Sequence, residues 1–300
     1  MKPLAISLGD PAGIGPEIVA KALAELDVPA YVFGAKAWSP AIRAERFIDV
    51  GHEGELQPGK IDARHGRVAL QSIHAAVDAI ERGECSALVT APIHKQAVAL
   101  AGSEHPGHTE LLAARANLPR YAHDYAMYFD SPRLKTVLLS VHVSLRRAVE
   151  SIDAGDIAAL ARLTSREFDQ LYGKRPRIAV AGVNPHAGEG GKFGVEEEEI
   201  ARGVALAREA LGDDVTGPHP PDTVFLAAMN GRYDVVMAMY HDQGLIPIKT
   251  VDFHHSVNVT LGLPYLRVSV DHGTAFDIAG LGVADAAPMR YAIEWAARFC

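Results

Sequence analysis

Cysteine is nearly absent. Cys85 and Cys300 are the only two in 300 residues, which leaves no disulfide framework and no cysteine-based zinc site and points to a reducing compartment. A basic excess is lacking too: 29 Lys and Arg stand against 37 Asp and Glu, a formal charge of −8, so no global positive field exists to hold nucleic acid or an anionic membrane. No uncharged apolar run reaches the ~18 residues of a membrane-spanning helix. The apolar opening stretch stops at Asp10, short of a signal-sequence core. A cytoplasmic protein without nucleic-acid or membrane partners is therefore expected. What the chain does have in quantity is histidine, 14 in all, the side chain that titrates near neutrality and the commonest metal ligand.

At 48% hydrophobic and 22% charged, the chain is ordinary globular protein, long enough for about two domains at ~150 residues each. Short β-branched runs at 4–8, 30–33, 87–90, 126–129, 136–141, 177–183, 234–240 and 267–270 read as strands, most of them buried on both faces. Between them Leu70, Ile73, Val77 and Ile80 recur at helical spacing. So do Ile157, Leu160, Leu163 and Phe168, and Ile200, Val204 and Leu211 mark a further helix. This alternation predicts a layered α/β fold with mainly parallel pairing. No repeat or flexible tether interrupts it, and the cleft between two domains is the default site.

Gly9-Asp10-Pro11-Ala12-Gly13-Ile14-Gly15-Pro16-Glu17 follows the first strand and opens a helix, with Pro16 suited to the first turn and Glu17 to the positive end of the dipole. Its G-x3-G-x-G spacing is not the G-x-G-x-x-G of dinucleotide folds. From the loop alone, a tight turn needing positive φ explains the glycines as well as a binding role does.

Three histidines sit at or just after strand ends: His142, His186 and His241. In an open α/β sheet all three would reach the carboxyl edge. There they would either converge as a zinc-type site with a position open for water or substrate, or each be satisfied by nearby backbone. A second polar set is Lys249, Asn258 and Arg267, together with Pro106-Gly107-His108-Thr109-Glu110 ahead of an apolar helix that His108 or Thr109 could cap. Lys, Arg and a helix N-terminus suit a phosphate or carboxylate, though solvated edge residues read the same way. Asp222 and Asp242 are candidate carboxylates for fixing an imidazole tautomer, and Asp222 reads equally as a helix cap. The run Glu196 to Glu199 reads as a solvated first helical turn rather than a binding patch. His254 and His255 are adjacent, so on a strand they would face opposite ways.

Taken together, GDPAGIGPE from Gly9, TAPIHK from Thr90, GHTE from Gly107, NPHAGEGG from Asn184, PPDT from Pro220, AMYHDQG from Ala238, VNVTLGLPYLR from Val257 and SVDHGTAFDIAG from Ser269 resemble the PdxA family. These are the 4-hydroxythreonine-4-phosphate dehydrogenases of vitamin B6 biosynthesis and their relatives. The resemblance spans nearly the whole chain. It implies a homodimer with shared active sites and a divalent metal, zinc first and magnesium or cobalt as alternatives, held by His142, His186 and His241 drawn from both subunits. It further implies substrate binding by His108, Thr109, Lys249, Asn258 and Arg267, with Asp222 and Lys249 near the reacting centre as catalytic groups.

The family's fold resembles that of isocitrate and isopropylmalate dehydrogenases, which implies two α/β/α layered domains with an interdomain cleft. GIGPE, through Gly13 and Gly15, and the loop His272-Gly273-Thr274-Ala275-Phe276-Asp277 resemble the nucleotide-binding parts of those enzymes. By that likeness Asp277 faces the adenosine ribose and repels a 2′-phosphate, so NAD is expected over NADP. Domain I is expected over 1–105 and 278–300. Domain II, with the metal histidines and dimer interface, is expected over 106–277.

The resemblance implies oxidation of 4-phosphooxy-L-threonine to a 3-oxo acid that loses CO2, giving 3-amino-2-oxopropyl phosphate. Departures at Lys192-Phe193 and at Phe253 to Ser256, and a compact stretch from about Trp38 to Lys60, touch the substrate more than the chemistry. D-threonate or D-erythronate 4-phosphate, or an aromatic cis-dihydrodiol, are the alternatives within the family. A metal-dependent hydrolase or lyase is the alternative from another class.

Overall fold

The computed structural model describes residues 2–52 and 54–300. The chain divides into two compact units, Met1–Ala116 with Leu263–Cys300, and Asn117–Gly262.

The first unit opens with β1 (Leu4–Ser7), α1 (Gly15–Glu25), β2 (Ala30–Gly34) and β3 (Arg46–Asp49). It continues through α2 (Ala63–Glu81), β4 (Ala87–Thr90), α3 (Lys95–Leu100) and α4 (His108–Arg115). Pro16 takes the first turn of α1, where its missing N–H costs nothing. Asp62 caps α2 by accepting from the Arg64 N–H at 2.8 Å. The apolar face of α2, with Val68, Ile73 and Val77, is buried and packs on β1 and β2.

The chain then builds the second unit with β5 (Ala126–Asp130), β6 (Lys135–Leu138), α5 (Leu145–Glu150), α6 (Ala154–Tyr172) and β7 (Ile178–Ala181). After these come α7 (Glu196–Leu211), β8 (Val215–His219), α8 (Val224–Met229), β9 (Val235–Ala238), α9 (His241–Asp252) and β10 (Val257–Leu261). It returns to the first unit with β11 (Leu266–Ser269) and α10 (Ala287–Arg298).

Strands of the first unit run β3-β2-β1-β4-β11, every pair parallel. Those of the second run β10-β5-β6-β9-β7-β8, with β10–β5 and β5–β6 antiparallel and the rest parallel. Mainly parallel pairing thus holds, and the parallel strands β1, β4, β7 and β9, away from the edges, are buried along their whole length because helices cover them. Phe129, Leu138, Val236, Leu245 and Ile248 centre the core of the second unit.

Three strands lie outside the expected set: β3, β8 and β10. Exposed ends break the pattern in β3, Gly217 and Pro218 break it in β8, and Asn258 and Thr260 alternate with the apolar residues of β10. The boundaries between the units also differ from those expected at 105/106 and 277/278. They fall at 116/117 and 262/263, because α4 and β11 belong with the first unit, where β11 pairs with β4 from Leu266 to Ser269. Among the described residues no helix is long and apolar enough to cross a membrane.

Candidate active site

Within the second unit, β6, β9 and β7 are consecutive and parallel, so the segments that follow them leave one sheet edge side by side. His142 follows β6, His241 begins α9 directly after β9, and His186 follows β7. Two polar side chains tie these strand ends together. The Ser140 hydroxyl donates to the Met239 carbonyl at 2.9 Å. Gln243, 8% exposed, accepts from the Met239 N–H at 2.6 Å and donates from Nε2 to the Gly182 carbonyl at 2.8 Å. Sequence reasoning missed Gln243. Its only trace was a polar residue where α9 turns its face to the core.

The His142 and His241 rings lie 6.0 Å apart. They line a cavity of about 210 Å³ with Ser140, Val143, Leu145 and Tyr240. His241 Nδ1 donates to Asp242 Oδ1 at 2.7 Å, which leaves Nε2 as the ring nitrogen available to a ligand. His186 is exposed and stands 6.3 Å from the Phe193 ring. Among the described residues of one chain, no three His, Cys, Asp or Glu side chains form a metal-holding group. The donor set still suits a divalent cation of borderline softness, one imidazole beside a carboxylate-oriented second.

Segment 186–191 has an unusual backbone. His186, Ala187, Gly188, Glu189, Gly190 and Gly191 all have positive φ, between 43° and 91°. Residues 242–244, whose Asp-Gln-Gly sequence favours a turn, belong to α9, which runs through Pro247 to Asp252 and carries Lys249, half-buried, in its last turn. Burial of Leu245 and Ile248 outweighs the helix-breaking preference of Gly244 and Pro247. Asn258 sits on β10 with its Oδ1 buried and without a hydrogen-bond partner. Asp222 is exposed and is not a helix cap; Thr223 holds that position in α8 and no side chain bonds there.

The Glu196 to Glu199 run is likewise not simply solvated. Glu197 is 8% exposed and accepts from the Val183 and Asn184 N–H groups at 2.8 and 2.7 Å. Burial pushes its carboxyl up, yet the Asn184 amide and these N–H donors outweigh that and hold it below the usual range. Glu199 accepts from the Ala154 N–H at 2.9 Å.

In the first unit, Arg267 on β11 is 2% exposed, and its Nη2 donates to Thr90 Oγ1 at the end of β4 at 2.9 Å. Burial pulls its guanidinium down to about 10, against the opposing pull of Tyr265 and Glu110, so it remains a cation at neutral pH. His108 lies well below its ordinary value, first through burial and then through the Arg267 charge. It is therefore a neutral imidazole, and its Nε2 is buried without a hydrogen-bond partner. Neither His108 nor Thr109 caps α4. The N-cap is Gly107 and no side chain closes it, which leaves His108 and the buried Thr109 inside the first turn beside a buried cation. A buried guanidinium, a neutral imidazole donor and an uncapped helix start form an anion-accepting cluster.

The glycine loop and the 272–277 loop also meet in this unit. The Ile14 N–H donates to the Thr274 carbonyl at 3.0 Å. Positive φ occurs within the loop only at Gly9; Gly13 and Gly15 are required by close approach, since an added Cβ would stand 2.9 Å from Thr274 Cβ and 2.3 Å from the Leu8 carbonyl oxygen. His272 Nε2 is buried without a hydrogen-bond partner, nothing crowds Gly273, and Asp277 is exposed. His272 Nδ1 faces the Gly273 carbonyl at 3.0 Å, so Nε2 is an orphaned acceptor, which with accessible backbone on that loop suits a polyhydroxyl ligand.

The fold is shared with isocitrate dehydrogenase from Methylococcus capsulatus, at a TM-score of 0.50 over 100% of this chain and 85% of that one, with 15% identity. The chain is thus a two-unit α/β protein with an isocitrate dehydrogenase-like fold. The family described as pyridoxal phosphate biosynthetic protein PdxA matches residues 11–296. The chain belongs to the PdxA family. It is 42% identical to a D-threonate 4-phosphate dehydrogenase of Salmonella typhimurium, covering 98% of each chain. It is 41% identical to a 4-hydroxythreonine-4-phosphate dehydrogenase of Beijerinckia indica, covering 99% of this chain and 94% of that one. A crystal structure of 4-hydroxythreonine-4-phosphate dehydrogenase from Klebsiella pneumoniae superposes with a TM-score of 0.89 at 40% identity, covering 100% and 99%.

Proposed function

We propose that the chain is a cytoplasmic, NAD-dependent and divalent-metal-dependent dehydrogenase acting on 4-hydroxythreonine 4-phosphate. The observation that carries this reading is the pairing of His142 with His241, rings 6.0 Å apart, at the sheet edge that also bears His186, in a chain whose relatives are named dehydrogenases of 4-phosphorylated four-carbon acids. The C3 secondary alcohol is oxidised to a ketone, hydride leaving to the nicotinamide and the hydroxyl proton to a base. The resulting 3-oxo acid loses CO2 to give 3-amino-2-oxopropyl phosphate.

A divalent cation would be held by the imidazoles of His142, His186 and His241 and would supply Lewis acidity to the oxidation and decarboxylation. The residues themselves do the rest. Asp242 fixes the His241 tautomer, so that Nε2 faces the ligand. Arg267, His108 and Thr109 hold an anionic end of the substrate; Arg267 contributes charge and His108, being neutral, donates without adding to the positive field. Lys249 and Asn258 are placed by α9 and β10 to bind substrate, and Lys249 and Asp222 are the candidates for moving a proton. The loops at Gly13, Gly15, His272, Gly273 and Asp277 take the nucleotide, with NAD preferred over NADP through Asp277.

A homodimer completes the metal site. Val143 and Leu145, 51% and 59% exposed, flank the His142 cavity, and Val195 and Ile246 are exposed on the same unit. Apolar surface of this kind supports cover by a second copy, which would supply the third imidazole.

D-threonate 4-phosphate is the second reading, supported by the 42% identity to a dehydrogenase so named; it differs from the first only in the group at C2. NADH formation measured on metal-loaded protein with the amino and the hydroxy acid phosphates, with and without chelator, tests both. Chelator-sensitive reduction strongest on the amino acid phosphate supports the first reading, and strongest on the hydroxy acid the second. Absence of any 340 nm change with either contradicts dehydrogenase action on both.

A further inference from the structure

His186 stands at the head of a turn that ordinary residues avoid. Six successive residues, His186 to Gly191, have positive φ, and three of them, His186, Ala187 and Glu189, carry side chains. Such a turn persists only where its surroundings fix it. Its own backbone contributes hydrogen bonds from the Ala187 N–H to the Asn184 carbonyl at 3.1 Å, from the Gly190 and Gly191 N–H groups to the Gly188 carbonyl, and from the Phe193 N–H to that same carbonyl at 3.1 Å.

Glu197, from the first turn of α7, bonds the backbone that leads into the segment and stands against Gly188 within it. Its Oε1 accepts from the Val183 and Asn184 N–H groups, and its Oε2 accepts from Asn184 Nδ2 at 2.8 Å. The same Oε2 fills the space where a side chain on Gly188 would begin, 2.8 Å from the ideal Cβ position. Asn184 Nδ2 donates also to Glu196 Oε2 at 2.7 Å, which fixes its amide orientation. The carboxylate thus holds the chain two and three residues before His186 by hydrogen bonds, and it stands close against Gly188, two residues after it, where a side chain would collide with it.

We propose that Glu197 is the positioning residue of His186, its buried carboxylate holding the left-handed turn that aims the imidazole at its ligand. The inference rests on the reading of His186 as a metal ligand. Carboxylates and amides behind ligating histidines change affinity by about ten- to hundredfold when removed, and Glu197 exerts the same kind of control through backbone.

The test is cobalt(II) titration of the full-length protein, followed by its visible absorption bands, for wild type, Glu197→Ala, Glu197→Gln and Glu198→Ala, with kcat and KM for NADH formation alongside. Glu198 is exposed in the same acidic run and serves as the charge control. Glu197→Ala is expected to weaken cobalt binding tenfold or more, to alter the band pattern, and to lower kcat more than it raises KM for NAD. Glu197→Gln can still accept from both N–H groups but sets its own amide against Asn184 Nδ2, so it is expected to fall between Ala and wild type. It carries the comparison if the Ala variant does not fold. Glu198→Ala should match wild type. Wild-type affinity and spectrum in both Glu197 variants would overturn the proposal while leaving the metal site standing. Wild-type protein without cobalt bands, or His186→Ala with unchanged ones, would instead overturn the reading of His186 as a ligand and this inference with it.

Discussion

The side-chain amide of Gln243 reaches across two strand ends to the backbone carbonyl of Gly182, 2.8 Å away, while its oxygen takes the Met239 N–H. That contact links the exit of β9, which leads to His241, with the exit of β7, which leads to His186. Replacing Gln243 with Leu keeps the volume and leaves two buried backbone groups unpaired. We expect a stability loss of about 1–3 kcal/mol, read by urea unfolding, with a larger fractional loss of activity than of folded protein. Unchanged stability would show that the backbone groups find other partners.

Arg267 is expected to resist conservative replacement. Lysine keeps the charge but loses the planar fork that reaches Thr90. Arg267→Lys should raise KM for the phosphorylated substrate by about ten- to hundredfold, the range of one or two lost charge-assisted hydrogen bonds, with a smaller effect on KM for NAD. An equal rise in both would place Arg267 outside the substrate site.

Acid should loosen the fold through His108. Its pKa is depressed in the folded protein by burial and by Arg267, whereas unfolded histidine titrates near 6.5. Between the folded pKa and 6.5 the unfolded chain therefore binds more protons. The contribution of His108 is fully present above 6.5 and is lost as pH falls toward the folded pKa. His74 and His219 are depressed by burial in the same direction. Urea unfolding at pH 7.5 and 5.5 should show lower stability at 5.5, and His108→Gln should reduce that difference. An identical pH dependence in the variant would contradict the burial of a neutral imidazole.

Coenzyme choice should respond to Asp277. Removing the carboxylate in Asp277→Ser is expected to raise kcat/KM for NADP relative to NAD by tenfold or more, since the repulsion of a 2′-phosphate goes with it. An unchanged ratio would place the ribose elsewhere.

Much of the fold was legible because buried parallel strands write themselves as short apolar runs: Ala87 to Thr90 and the neighbourhoods of Ile6, Val180 and Val236 needed no context. The helix α9 was not, since Gly244 and Pro247 argue against a helix that tertiary packing of Leu245 and Ile248 imposes. Positions of the three histidines at strand ends were readable, and so was the buried Arg267 as a candidate anion partner. What holds them was not. Gln243 and Glu197 act on backbone groups 61 and 13–14 positions away, contacts that leave no periodic mark. Glu197 was further disguised by three acidic neighbours whose presence the helix dipole already explains.

Metal content of purified wild-type and His186→Ala protein, measured by elemental analysis beside NADH formation and circular dichroism, tests the central claim most directly. The account predicts a bound divalent metal and chelator-sensitive turnover in wild type, and neither in the variant at an unchanged fold. Turnover retained by His186→Ala without bound metal would contradict it.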